Sequence, residues 1–418
     1  MTVMKTANTE PSGGALAGER CRVIVSTDIG GSDPDDFQSM VHYLLYTDVF
    51  DTEGLISSPW GAGTKQDILD VIDAYAKDYP NLIRHSQDYP EPDYLRSITK
   101  QGALDIAPYR GYSKPTEGSE WIIQCAKKDD PRPLYILVWG LLEDIAQALH
   151  DDPSIEDKLR VYYIAGPNKK WGVNAHAYIE QNFPNLWIIE NNSTYRGWFN
   201  GGDQSGDLGN QSFVVNHIQG HGALGAFFCR FLDKTIKMGD TPSAAYLLRG
   251  NPADPESPHW GGQFVPVHSR PNTAFHRNTT LNDRIEMFGI AEFVFKGPHI
   301  DVDRDKPVFT MHVKGQEFPG YYVSDGEYGI RWMPKSLGEW SYVITSDIPE
   351  LDGQRGEFVS VPESAVSRGR DPLRFPNWWS DILEPEFKDG IICGSKTVNR
   401  WREAFLRDFQ QRMDRCLP

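Results

Sequence analysis

From Arg22 onward the chain alternates short apolar runs with stretches in which apolar residues recur every three or four positions. The runs at 22–26, 52–57, 82–85, 134–138, 159–164 and 186–189 predict strands. The spacing at 35–46, 65–78, 119–128, 141–150 and 173–182 predicts helices. In the first of these, Phe37, Met40, Val41, Leu44 and Leu45 form one apolar face. Asp33 is placed to cap it and Pro34 to occupy its first turn. Strands separated by helices of this length define an α/β fold, a mostly parallel sheet with helices on both faces. Functional groups on such a sheet gather beyond the carboxyl ends of its strands. Residues 211–249 read as helical again, with Asp240 or Thr241 capping a helix at 243–249, and 251–262 reads as loop.

The pattern changes near residue 285. Short β-type runs such as Glu292-Phe293-Val294-Phe295, Tyr328-Gly329-Ile330-Arg331-Trp332 and Trp340-Ser341-Tyr342-Val343-Ile344 follow one another, separated by turns. This predicts an all-β sandwich at 285–363, after an α/β domain at 21–284. Residues 364–418 return to the α/β domain. A closing helix at 398–416 carries Trp401, Phe405, Phe409 and Met413 at four-residue spacing. Residues 1–20 are polar and predict a flexible N-terminus. They contain no apolar leader, which with an odd cysteine count points to a reducing, cytoplasmic setting unless a signal peptide has been removed.

The chemistry concentrates in Thr27-Asp28-Ile29-Gly30-Gly31-Ser32-Asp33-Pro34-Asp35-Asp36, four carboxylates within nine residues at a strand-to-helix turn. Capping and the helix dipole explain part of this acidity, but not all four acids behind a Gly-Gly bend. Asp28 and one of Asp35 and Asp36 can meet on one cation, leaving a carboxylate to take a proton from water. Oxygen-only donors favour Ca²⁺, with Mg²⁺ as the alternative. The five cysteines are scattered without CxxC spacing, which argues against thiolate zinc. A net charge of -16 without a basic stripe argues against a nucleic-acid partner, and no apolar stretch fits a membrane. Twelve Trp and eighteen Tyr suit a protein that meets sugar rings.

Further candidates are single residues. Trp139 and Val138 end a strand where a backbone carbonyl could complete an ion's shell. Asn168, Asn174, Asn191, Asn192 and Tyr195 follow strand ends and could bind sugar hydroxyls, while Trp171 and Trp198 could stack on a ring. His217 and His221 stand four apart and are candidates for substrate binding, with His176 and His259 as weaker ones. Dinucleotide, P-loop and nucleophile-elbow spacings are absent.

The segment Ser26-Thr27-Asp28-Ile29-Gly30-Gly31 followed by Asp35-Asp36 resembles the acidic signature of the inosine-uridine nucleoside hydrolase superfamily, closest to its nucleoside-hydrolase-like branch, some of whose members are called cellulose-binding proteins. Leu137-Val138-Trp139-Gly140, Gly239-Asp240-Thr241-Pro242-Ser243 and the segment from Trp401 to Met413 support the likeness. The resemblance implies Asp28, Asp36 and Asp240 as calcium ligands with the carbonyl of Val138 or Trp139, and Asp35 as general base. It implies a Ca²⁺-dependent hydrolase of a glycosidic bond acting on a nucleoside or related sugar conjugate. This chain departs from the signature: Ser26 stands where the superfamily has its first acid, and the loop from Asp28 to Asp35 is three residues longer. The stretch from about 292 to 361 resembles the immunoglobulin-like N-terminal domain of some glycoside hydrolases, here inserted into the α/β domain. The alternatives are a carbohydrate-binding protein whose metal site grips sugar without turnover, and a Mg²⁺-dependent phosphohydrolase marked by basic groups converging on the metal. Assembly into a homo-oligomer is left open.

Overall fold

A computed structural model describes residues 10–59, 61–267, 272–363 and 375–418. Sixteen strands occur among them. In chain order they are β1 (Arg22–Thr27), β2 (Asp51–Ser57), β3 (Thr99–Gln101), β4 (Leu134–Val138), β5 (Leu159–Ile164), β6 (Trp187–Asn191), β7 (Phe264–Pro266), β8 (Thr273–Phe275), β9 (Arg284–Glu286), β10 (Ala291–Lys296), β11 (Pro307–Val313), β12 (Gln316–Ser324), β13 (Glu327–Trp332), β14 (Gly338–Thr345), β15 (Arg355–Val361) and β16 (Trp378–Asp381). They form two eight-stranded sheets.

The first sheet has the order β3-β2-β1-β4-β5-β6-β16-β7. Every neighbouring pair is parallel except β16 with β7. Successive side chains on its central strands feed two separate apolar cores. Val23, Val25, Leu137 and Tyr162 pack on one face, and Ile24, Ile136, Val138 and Val161 on the other. All six residues of β1 are buried, as expected of a strand covered by helices on both sides. This is the α/β architecture predicted from the alternation.

Three local expectations are corrected. The apolar run at 82–85 is not a strand, because the helix Lys65–Leu82 continues through Pro80 and ends in it. That helix opens on a capping box between Thr64 and Asp67, and Leu82 is buried at its last turn. Asp33 does not cap the helix Asp35–Leu45: Pro34 takes the cap position, and the Asp33 carboxylate turns instead to the Lys237 ammonium. The closing helix is two pieces, Lys396–Asn399 and Arg402–Asp414.

The second sheet has the order β8-β10-β13-β12-β11-β14-β15-β9 and is antiparallel apart from its edge pairs β8 with β10 and β9 with β15. It is the expected all-β unit. Hydrogen bonds join all its strands into one sheet around a core rich in aromatics, including Phe293, Phe309, Trp332 and Phe358. Its first strand, at Thr273, lies ahead of the expected start at 285. In the chain the whole unit lies between β7 and β16, which are neighbours in the first sheet. Part of the second crossing, 364–374, lies outside the described residues, as do residues 1–9 of the expected flexible N-terminus.

The two units meet through polar contacts. Arg331 Nη1 donates to the Tyr109 carbonyl at 2.6 Å, and its guanidinium lies over the Tyr109 ring. Lys169 Nζ donates to the Phe288 carbonyl at 2.9 Å and pairs with Glu190 at 2.8 Å, with both side chains buried. No helix among the described residues is long and apolar enough to cross a membrane. The five cysteines are free thiols.

Candidate metal centre and sugar cavity

Four parallel strands end on one side of the first sheet, and each delivers residues to the same place. Asp28 follows β1, Trp139 follows β4, Pro167, Asn168 and Trp171 follow β5, and Tyr195 follows β6. Together with Asp35, Asp36, Lys237 and Asp240 they line a cavity of about 350 Å³. This is the carboxyl edge at which open α/β sheets carry their ligands.

The backbone between Asp28 and Asp35 is built for close approach. The Gly31 N–H donates to the Asp28 carbonyl at 2.9 Å, and Gly30, at φ 82, leaves no room for a side chain against the Asp67 carboxylate. A β-carbon on Gly140 would lie 2.7 Å from the Asp28 β-carbon, so the loop after β4 can touch the acidic turn only as glycine.

Asp35 and Asp36 open their helix and are both buried. Asp36 Oδ1 accepts from the Thr27 hydroxyl at 2.5 Å. Asp35 Oδ2 accepts from the Gly239 N–H at 2.8 Å, and its other oxygen is 3.6 Å from Lys237 Nζ. Asp240 reaches the cavity from the far side. It stands at the cap position of the helix Thr241–Leu248 but makes no capping bond, and its Oδ2 is buried without a partner. The loop before it holds Met238 at φ 47, a conformation uncommon for a residue with a β-carbon. Asp35, Asp36 and Asp240 can each present an oxygen within 4.8 Å of the others.

So much negative charge out of water shifts Asp28, Asp35, Asp36 and Asp240 upward, while the Lys237 ammonium helps hold Asp33 below its ordinary value. Burial, then Asp35, raises Asp28 to about 8. Burial raises Asp35 to about 7, against the pull of Lys237. Burial together with the neighbouring acids pushes Asp36 and Asp240 well above the ordinary carboxylate range. An orphaned carboxylate oxygen facing two further carboxylates, all donors being oxygen, is the environment a hard divalent cation satisfies. The residues therefore fit a Ca²⁺ or Mg²⁺ ion. The tightest set holds Asp35 beside Asp36 and Asp240, with Asp28 adjoining Asp36.

The other candidates divide by place. Trp139 lines the cavity and its carbonyl accepts from Asn168 Nδ2 at 2.7 Å, whereas Val138 stays within β4 and does not line it. Trp171 lines the cavity and stacks on Phe318, with centroids 5.0 Å apart. Asn174 is not brought there, because its amide donates to the Ala107 carbonyl. Nor are the histidines: His217 bonds to Asp207 and His221 to Asp414. His176 bonds to Glu190, and His259 bonds to the carbonyls of Ser257 and Asn251. Asn191 and Asn192 are buried in a side-chain network with Tyr162 and Glu190, and Trp198 stacks in the core on Phe405.

Three polar cavity residues were not singled out in the sequence: Lys237, Gln316 and Lys335. Lys237 lies three residues before Asp240 and was within reach of a reading of that loop. Gln316 and Lys335 belong to the all-β unit, and nothing local marks them.

The family described as "Cellulose-binding Sde182, nucleoside hydrolase-like domain" matches residues 22–264, and the chain belongs to it. Residues 284–347 match a domain of unknown function, DUF5060. No curated protein matches. Among solved structures, the chain is similar to a nucleoside hydrolase-related hypothetical protein from Saccharophagus degradans associated with carbohydrate metabolism. The identity is 22%, covering 82% of this chain and all of that one, with a TM-score of 0.51. An inosine-uridine preferring nucleoside hydrolase from Bacillus anthracis is 15% identical over 60% of this chain and 87% of that one, with a TM-score of 0.37. A putative glycoside hydrolase from Bacteroides vulgatus is 29% identical over 20% of this chain and 17% of that one, with a TM-score of 0.18.

Proposed function

We propose that this protein hydrolyses a glycosidic bond with the aid of a divalent cation, Ca²⁺ in the first place, on a nucleoside or related sugar conjugate. The observation that carries the reading is the buried cluster of Asp35, Asp36 and Asp240, with its unpartnered Asp240 oxygen, on the wall of the cavity at the carboxyl edge of the sheet. Asp36 and Asp240 would hold the cation, with Asp28 beside them and the Trp139 carbonyl within the same cavity. When bound, the ion supplies charge to orient sugar hydroxyls and to make water easier to deprotonate.

The chain's own residues supply the rest. Asp35 is fixed by the Gly239 N–H and accepts the proton of the attacking water. Its burial keeps it basic near neutral pH. The surrounding carboxylates face the positive charge that develops at the anomeric carbon as its bond to the leaving group breaks. Trp171, held against Phe318, offers an aromatic face to the ring.

A second reading, sugar binding without turnover, is favoured by the family's description as cellulose-binding and by that aromatic face. One experiment separates the two: hydrolysis of a panel of nucleosides and aryl furanosides or pyranosides, with Ca²⁺ and with chelator, beside Asp35→Asn. Chelator-sensitive turnover lost in Asp35→Asn supports hydrolysis. Binding of the same ligands without turnover supports the second reading.

A further inference from the structure

The cavity that holds the acids also carries positive charge. Lys335, in the connection between β13 and β14, lines the cavity, and among the described residues no acid pairs with it. Partial burial and the charges of Arg196 and Lys237 lower its pKa, against the opposing pull of Asp33, which lines the same cavity. Next to it stands Lys170, buried to 3% exposure. Its ammonium lies 5.0–5.4 Å from the ring centroids of Trp171, Phe318 and Trp332 and bonds to Gln316 Oε1, and no carboxylate among the described residues pairs with it.

A buried ammonium without a carboxylate is costly. Here it has one consequence for the cavity. A charged lysine can only donate, so the Gln316 oxygen must face Lys170 and the Gln316 NH₂ must face away from it. Gln316 lines the cavity, and its amide nitrogen has no partner among the described residues. The all-β unit thus presents two donors and no acceptor charge, in a chain with 58 acidic and 42 basic residues. Two donors backed by a cation favour a ligand group that only accepts, such as a carboxylate or phosphate oxygen, over a hydroxyl, which both donates and accepts.

We propose that Lys335 Nζ and the Gln316 amide form an anion-recognising subsite, and that the substrate is a glycoside whose sugar carries a negatively charged substituent, a carboxylate or a phosphate. This rests on the reading of the acidic cluster as a sugar-handling site, and it assigns the all-β unit the choice of substrate.

The test is titration calorimetry on the full chain in Ca²⁺. The ligands are methyl glucuronide and methyl galacturonide, the corresponding methyl glucoside and galactoside, and glucose 6-phosphate, with hydrolysis of aryl uronides and aryl glycosides followed in parallel. An anionic ligand is expected to bind about ten-fold or more tighter than its neutral counterpart, a preference that shrinks with added salt. Lys335→Ala should bring that ratio to within about three-fold, and Lys335→Arg should retain it. Preference for the uronides or for the phosphate names the source of the charge. Equal binding of charged and neutral sugars, an equal loss of both in Lys335→Ala, or no binding of any ligand would overturn the subsite. Lys335 is exposed, so its variants test the site and not the fold. Charge-selective binding without hydrolysis would sink the hydrolase reading and leave the subsite standing. Hydrolysis without charge preference would do the reverse.

Discussion

Replacing Asp240 by Asn should stabilise the metal-free protein and abolish its response to Ca²⁺. At 4.8 Å, two ionised carboxylates repel by about 3 kcal/mol at an effective dielectric constant near 20. Asp240 stands that close to both Asp35 and Asp36. Its Oδ2 has no donor to offset the cost. Each of these carboxyls has a higher pKa folded than unfolded, so the folded chain holds the extra protons. Stability therefore falls as pH rises, from the ordinary Asp value near 3.9 through the folded values, about 7 for Asp35 and about 8 for Asp28. The assay is thermal melting at pH 5 and pH 8, in chelator and in Ca²⁺. In chelator the wild type should melt lower at pH 8 than at pH 5, and saturating Ca²⁺ should reverse the loss. Ca²⁺ at 100 times its Kd adds about 2.7 kcal/mol. For a chain of 418 residues melting as one unit that is on the order of 3 °C. Asp240→Asn should raise the pH 8 melting temperature in chelator by a comparable amount and remove the Ca²⁺ shift. Superimposed wild-type melts with and without Ca²⁺ at pH 8, together with a lower melting temperature for Asp240→Asn in chelator, would refute the reasoning.

Three further outcomes are expected. Asp35→Asn should lower turnover by about 10²-fold or more while sugar binding survives, measured by initial rates and calorimetry on the same preparation. Gly140→Ala should destabilise the fold by about 1–3 kcal/mol, because its β-carbon would meet Asp28 and the Ser58 hydroxyl at 2.7 Å; urea denaturation reads this out. Lys169→Met should cost about 3–5 kcal/mol in the same assay, since it leaves buried Glu190 without its ammonium and removes a tie to Phe288 of the all-β unit.

What could be read in the sequence follows from which interactions are local. The parallel sheet was legible because each strand's apolar run is dictated by burial on both faces, and Val23, Ile24 and Val25 report that directly. The run at 82–85 misled because a helix's last turn and a short strand look alike in four residues, and only the packing of Leu82 decides between them. The position of Asp28, Asp35 and Asp36 was legible because a strand end, a glycine bend and a helix start are contiguous in the chain. Asp240 was reached only through resemblance, since its local features are those of an ordinary cap. The structure shows why that reading falls short: the cap position makes no capping bond, which frees the carboxylate for the cavity. His217 and His221 misled in the opposite direction, because helical spacing says nothing of which neighbours, here Asp207 and Asp414, satisfy each ring. Gln316 and Lys335 were out of reach altogether. Their part in the cavity depends on how a unit placed between β7 and β16 sits over the sheet's edge, and that is set by contacts such as Lys169 to Phe288 and Arg331 to Tyr109, which join residues more than 100 positions apart. The acids contributed by one short segment can be found from that segment. A cavity wall supplied by a second unit becomes visible only once the two units are docked.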